Sequence, residues 1–296
     1  MGQKIIEVQK EYKWGSKFLE NLSKDLSKEF PYVKVFSYRN LKNIRQWVKF
    51  WNNEKGKQVV SQLFQIPWGH NIVIIQKCKN IDEAVFYIRN TIKHGISRSV
   101  LIHQIESNLY ERNKKAINNF DLTLPPTNSD LAKEITKDPY IFDFLSLSED
   151  YKEKELENAL IDNIKDFLLD LGCGFAFVGK QYKLQVGKSE FRIDLLFYHI
   201  KLHCYVIIEL KNAEFKPEFA GKLNFYVSAI DGELKSETDN PTIGILICKS
   251  KDDLVVEYAL KDINKPIGVS EYKLTKELPK ELRNSLPTLE DFKKLN

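Results

Sequence analysis

Three charged residues, Asp194, Glu209 and Lys211, stand inside the apolar runs of "FRIDLLFYHIKLHCYVIIELKN" (191–212). Charge in such runs is costly unless it is paired or holds a ligand. Side chains alternate along a strand, so Glu209 and Lys211 share one face while Ile208 and Leu210 take the other. In a hairpin centred between Lys201 and Leu202, residues whose numbers sum to 403 face each other, and Asp194 and Glu209 are such a pair. "IKLH" is a weak two-residue turn, but a four-residue loop with the same centre keeps the pairing. The two β-carbons then lie roughly 5 Å apart. Like charges at that distance need a positive neighbour. Lys211 supplies part of it, and a hard divalent cation, Mg²⁺ or Mn²⁺, suits the remaining carboxylate oxygens. Glu157 adds a third acid, because the apolar stripe through Ile161, Ile164 and Leu168 of a helix expected over 151–171 runs back to it. Taken singly, Asp194 and Glu209 read as solvated edge-strand charges and Glu157 as a first-turn helix acid. The combination favours a metal site.

The elements that must position these residues follow from the surrounding pattern. The helix over 151–171 ends at Gly172. "GFAFVG", "YKLQV", "EFRIDLLFYHI" and "LHCYVIIEL" read as strands. Pro217 starts a helix, "PEFAGKLNFYVSAID", and "TIGILIC" (242–248) has the continuous apolar character of a buried central strand. The order is helix, three or four strands, helix, strand.

The first part of the chain has a helical rhythm. Ile5, Ile6, Tyr12, Phe18, Leu19, Leu22 and Leu26 follow helical spacing up to Phe30-Pro31. In "FSYRNLKNIRQWVKFW", with Ser37 as N-cap, Leu41, Ile44, Trp47, Val48 and Trp51 fall on one side of the wheel. Arg39, Lys42, Arg45 and Lys49 fall on the other, which reads either as a DNA-binding face or as a solvated one. Further helices are expected at 81–93 and 97–117, separated by "HGIS". "LTLPPTNSD" marks a linker, and the aromatic "DPYIFDFLSL" beyond it is expected to pack onto the second domain. The expected division is a helical domain over 1–121, a linker over 122–138 and a second domain over 139–296.

Composition narrows the classes. A chain of 296 residues makes one large or two ordinary domains. Its 43% apolar and 29% charged residues are ordinary for a soluble protein, and a net charge of +4 is only a mild basic bias. Cys78, Cys173, Cys204 and Cys248 have no metal-ligand spacing and read as free thiols of a reducing compartment. The first residues lack a signal-peptide core, and no apolar stretch reaches membrane-span length, so a cytoplasmic protein is expected. His199 and His203 are four apart but flank the hairpin, which is no metal signature. "GKS" (187–189) lacks the preceding glycine-rich loop of a nucleotide-binding motif and reads as a turn.

Asp194 together with "ELK" (209–211) resembles the acidic and E-x-K elements of the PD-(D/E)XK nuclease superfamily. The surrounding text is more specific. "LENALIDNIKDFLLDLGCGFAFVGKQYKL", "FRIDLLFYHIKLHCYVIIELKNAEFKPEFAGKLNFYVSAID" and "NPTIGILICKSKDDLVVEYAL" resemble the YhcG-like family of such nucleases. "YKWGSKFLENLSKDLSKEF", "FSYRNLKNIRQW", "IPWGH" and "FYIRNTIKHGISRSVLIHQIESNLYER" resemble that family's helical domain, so the likeness covers nearly the whole chain. One departure is Ile96, where the family carries a tryptophan before the serine.

The resemblance implies an α+β protein. An all-α, winged-helix or helix–turn–helix-like N-terminal domain would be followed by an α/β restriction-endonuclease-like domain with a central mixed sheet flanked by helices. It implies a Mg²⁺- or Mn²⁺-dependent endonuclease that hydrolyses phosphodiester bonds in DNA, with RNA or branched DNA as less favoured substrates. Asp194, Glu209 and the carbonyl of Leu210 would hold the metal, and Lys211 would position or deprotonate the water. Glu157 would add a supporting carboxylate, and Gln181 matches a polar family position that orients a water or phosphate. Lys222 and Tyr226, one helical turn apart, would meet the phosphate backbone, although Tyr226 suits a core position equally. A homodimer is compatible with cutting both strands. The alternative is a catalytically silent nucleic-acid-binding or assembly module on the same fold.

Overall fold

The computed structural model describes residues 2–11, 17–52, 56, 58–113, 115–147 and 150–274, with side chains left out at 9–11 and 60. Tyr12 and the expected domain end over 275–296 lie outside the described residues. The chain divides into two compact units, Met1–Tyr110 and Glu111–Asn296.

Among the described residues the first unit is helical. Its main elements are α1 (Gly2–Glu11), α2 (Phe18–Glu29), α3 (Tyr38–Trp51), α4 (Trp68–Lys77), α5 (Ile81–His94) and α6 (Arg98–Glu106). On α3 the wheel pattern becomes packing: Leu41 and Trp51 are buried, Ile44, Trp47 and Val48 are half-buried, and Arg39, Lys42 and Lys49 are exposed. Arg45 is half-buried. Ser37 stands at the N-cap position, but its side chain makes no capping bond. The helix–turn–helix of α5 and α6 turns at Gly95, and Ser97 caps α6 by accepting from the Val100 N–H. The helix expected over 97–117 is shorter, because the chain breaks at Asn108, whose φ is +52°. His70 of "IPWGH" meets the carbonyl of Ile96 at 3.1 Å, joining two of the helical-domain motifs.

The second unit begins well before residue 139. It runs β1 (Ile117–Asn118), α7 (Phe120–Thr123), α8 (Pro126–Ile135), β2 (Tyr140–Ile141), α9 (Glu153–Asp162), α10 (Ile164–Leu171), β3 (Phe175–Val186), β4 (Ser189–His199), β5 (Cys204–Glu214), α11 (Pro217–Glu233), β6 (Ile243–Ser250), α12 (Asp253–Leu260) and β7 (Ile267–Lys273). The stretch expected as a linker is therefore folded. Pro125-Pro126 starts α8 instead of breaking structure, since a proline in the first turn sacrifices no helical hydrogen bond. Ala132 and Ile135 of α8 then enter the core beside Tyr140 and Phe142. The single helix expected over 151–171 is broken at Asn163, whose side chain bonds back to the carbonyl of Ala159.

The strands form a mixed sheet in the order β1-β7-β6-β5-β4-β3, with β2 added parallel to β7. β3, β4 and β5 are antiparallel, and β5, β6 and β7 are parallel. One face carries Val206, Ile208 and Leu210 against α8, α9 and α10, and the other carries Ile207, Leu246 and Val269 against α11 and α12. β6 is buried on both faces through Cys248, so each of its large apolar side chains contributes roughly 1.5–3 kcal/mol. Cys78, Cys204 and Cys248 are buried and Cys173 is half-buried, all as free thiols. No described helix is long and apolar enough to cross a membrane.

Candidate active site

The β4–β5 hairpin closes through a four-residue loop, with His199 opposite Cys204 and Leu195 opposite Ile208. This is the register that sets Asp194 against Glu209. His199 helps fix it: its Nδ1 accepts from the Leu202 N–H at 3.1 Å, and its Nε2 lies 3.2 Å from the carbonyl of Cys173. Gly174 packs against the same ring, with φ +104° and room for no β-carbon, which would sit 2.7 Å from Nε2. His199 is therefore structural.

Backbone pairing between β4 and β5 stops after Leu195–Ile208, although both strands continue. At the next rung the side chains take over. The Asp194 N–H donates to Glu209 Oε1 at 3.3 Å, and the Leu210 N–H donates to Asp194 Oδ2 at 3.1 Å. The two carboxylates stand where ladder carbonyls would, and the strands part around them.

Both helix layers reach this mouth. From α9, Glu157 accepts from Gln181 Nε2 at 2.7 Å, and the same amide lies 3.3 Å from Asp194 Oδ1. Gln181 faces Asp194 across the β3–β4 ladder at a rung that is not formed, and its φ is +47°. A left-handed glutamine inside a strand is a strained arrangement of the kind found at functional sites. Here it turns the amide onto two acids. From α11, Lys222 Nζ donates to Glu209 Oε2 at 2.9 Å and lies 5.0 Å over the Tyr226 ring. Tyr226 itself is buried in the core under α11, with the Lys222 ammonium over its ring.

Lys211 Nζ lies 4.0 Å from Asp194 Oδ2 and 3.9 Å from Glu209 Oε2, but its short contacts are to Glu153 Oε1 at 2.6 Å and the Leu210 carbonyl at 2.7 Å. Sequence reasoning passed over Glu153. It stands one helical turn before Glu157 on α9, and that spacing was the available signal. Arg39, Lys42, Arg45 and Lys49 belong to α3 of the first unit.

The electrostatics are those of crowded, buried acids. Burial pushes the Glu209 carboxyl up, and the charge of Asp194 adds to this against the pull of Lys222 and Lys211. Burial likewise raises Asp194 against the Leu210 N–H bond, and raises Glu157 against the bond from Gln181. Burial draws the Lys222 ammonium down, but the charge and hydrogen bond of Glu209 outweigh it and leave it raised.

These residues fit a hard divalent cation. The donors are carboxylate oxygens, the two facing acids carry more negative charge than their surroundings favour, and Glu157 Oε1 is buried with no hydrogen-bond partner. Among the described residues no three His, Cys, Asp or Glu side chains form a metal cluster by themselves. A set built on Asp194 and Glu209 therefore needs the Leu210 carbonyl or water to complete it.

Comparison with known proteins places the chain in a family by sequence. The family described as the YhcG PDDEXK nuclease domain matches residues 133–287, and the DUF1016 N-terminal domain matches residues 1–112. The protein named "Putative nuclease YhcG" from Escherichia coli (strain K12) is 30% identical over 319 residues, covering 96% of this chain and 83% of that protein. Among solved structures, a repair endonuclease from Pyrococcus abyssi matches with a TM-score of 0.29 and 17% identity, over 45% of this chain and 50% of that one. A complex of EndoMS with dsDNA matches with a TM-score of 0.30 and 18% identity, over 47% of this chain and 49% of that one. The chain thus spans about half the length of these two solved chains. By its sequence along nearly its whole length, the chain belongs to the YhcG family of PDDEXK nucleases.

Proposed function

We propose that the protein is a Mg²⁺- or Mn²⁺-dependent endonuclease that hydrolyses phosphodiester bonds in DNA, its helical N-terminal unit binding DNA or a partner. The observation that carries this reading is the parting of β4 and β5 around Asp194 and Glu209, with Lys211 about 4 Å from both acids. Asp194, Glu209 and the carbonyl of Leu210 would hold the cation. When bound, such a cation supplies positive charge opposite the scissile phosphate and makes a neighbouring water more acidic.

The chain's own residues do the rest. Hydrogen bonds from backbone amides fix the two acids, so their oxygens are organised before substrate arrives. Lys211 presents an ammonium to the incoming water and to the negative charge that builds on the phosphate. Gln181 Nε2 bridges Glu157 and Asp194, while Glu157 Oε1 stays buried without a hydrogen-bond partner. Lys222, half-exposed, can exchange Glu209 for a backbone phosphate. On α3, Arg39, Lys42 and Lys49 offer an exposed basic row to a polyanion.

Purified protein is expected to nick or cut plasmid DNA with Mg²⁺ or Mn²⁺ and not with a chelator. Asp194→Ala and Lys211→Ala should each reduce the rate on the order of 10²-fold or more. Cleavage that survives both substitutions rejects the site. Parallel assays on RNA, branched DNA and single strands test the choice of substrate.

A further inference from the structure

Lys211 takes its shortest contact from outside the facing pair of acids. Its side chain is 10% exposed, and its closest partner is Glu153, on another element, at 2.6 Å. The two facing acids stand farther off, at 4.0 and 3.9 Å. Glu153 is the first residue of α9, where an acid ordinarily serves the helix's own unpaired N–H groups. That duty falls to Glu155, which accepts from the Lys152 N–H at 2.7 Å. The Glu153 carboxylate instead reaches across to β5.

Its reach is set by a small polar network. Asn212, next to Lys211, donates to the carbonyl of Tyr151 and accepts from the hydroxyl of Tyr272 at 3.3 Å. The hydroxyls of Tyr151 and Tyr272 meet at 2.6 Å. The chain entering α9 is thereby tied to β5 one residue beyond the lysine.

Building on the nuclease reading above, we propose that Glu153 is a positioning residue that draws the Lys211 ammonium away from Asp194 and Glu209 and so keeps the place of the divalent cation open. An ammonium released by Glu153 has two buried carboxylates within about 4 Å, and Coulomb attraction in that setting draws it between them. There it would occupy the oxygens a cation needs. Glu153, which belongs to no part of the ligand set, holds the ammonium beside the acids rather than between them.

The test is calorimetric titration of the full chain with Mn²⁺, without nucleic acid, on wild type, Glu153→Gln, Lys211→Met and the double variant. Glu153→Gln is expected to weaken Mn²⁺ binding about tenfold. In the Lys211→Met background the same change should cost less than about twofold, because no ammonium remains to compete. Glu153→Asp keeps the charge but shortens the reach, and a several-fold loss is expected there too. Equal losses in both lysine backgrounds mean that Glu153 acts only through its charge, and that overturns the proposal, as does an unchanged affinity in Glu153→Gln. Wild-type protein that takes up no Mn²⁺ and cuts no DNA sinks the nuclease reading as well. Wild-type protein that does both while the Glu153 variants match it sinks this proposal alone.

Discussion

Replacing Glu209 with glutamine should make the metal-free protein more stable. Glu209 is 1% exposed, and its carboxyl is raised first by burial and then by the charge of Asp194. A carboxyl raised in the folded state binds its proton more tightly there than in the unfolded chain. Stability therefore falls as pH climbs from the ordinary carboxylate range through the folded pKa, and the full penalty applies above it. Each unit of elevation is worth about 1.4 kcal/mol. Glutamine removes that penalty but loses one acceptor, Oε2, which takes the 2.9 Å bond from half-exposed Lys222. A lost charge-assisted bond of this exposed kind offsets about 0.5–1 kcal/mol.

With the carboxyl pushed up to about 7 from an ordinary 4.5, the net expectation is a gain of about 2–3 kcal/mol at about pH 8 in chelator, shrinking towards zero near pH 5 as the wild-type carboxyl protonates. For a unit of this size that is a rise of roughly 4–12 °C in melting temperature. Mg²⁺ at about a thousand times its dissociation constant should then add about 4.1 kcal/mol to the wild type and almost nothing to the variant, so the order of the two melts inverts. Scanning calorimetry of both proteins at two pH values, with and without Mg²⁺, reads all of this. A variant less stable than wild type at the higher pH in chelator, or a gap that does not narrow on acidification, refutes the reasoning.

Three further outcomes are expected. Gln181→Gly and Gln181→Ala should both lose cleavage about tenfold or more, yet the glycine variant should be more stable by about 1 kcal/mol, because only glycine takes φ +47° without strain; denaturant titration compares them. Gly174→Ala should destabilise the protein by about 2–3 kcal/mol, since the new methyl meets the His199 ring at a φ of +104°; an urea melt measures it, and a neutral result removes His199 from the loop's support. Replacing Arg39, Lys42 and Lys49 with glutamine should flatten the salt dependence of DNA binding by about 2–3 in log–log slope, read by fluorescence anisotropy, with unchanged affinity at all salts assigning α3 to another role.

Much of the site was legible because strand geometry has a period of two. The spacing of Glu209 and Lys211 and the centre of the hairpin sufficed to set Asp194 opposite Glu209. What escaped depended on contacts between distant segments. "GFAFVG" and "YKLQV" read as two strands because "GKQ" interrupts the apolar pattern, whereas β3 is one strand that passes through the interruption with Gln181 turned left-handed. The break in the pattern was itself the mark of the site. Pro125-Pro126 reads as a linker or as a helix start from the same letters, and only burial of Ala132 and Ile135 decides between them. Glu153 had the spacing of Glu157 but not its apolar stripe, so its partner 58 residues away was invisible. β7 lies beyond the last strand expected, and its pairing with β6, β1 and β2 joins three distant parts of the chain.

The double duty of the two acids bears on how such a protein decays under relaxed selection. Asp194 and Glu209 accept backbone N–H groups that the parted strands leave without a carbonyl, so losing either one strands a buried amide as well as the chemistry. A descendant that no longer cuts anything would still be held to these carboxylates, or their amides, by the need to fold. Lys211 shares in this duty, since its Nζ donates to the carbonyl of Leu210 at the same parted rung. In relatives of this chain, the persistence of all three charges is therefore a witness to the fold before it is a witness to catalysis.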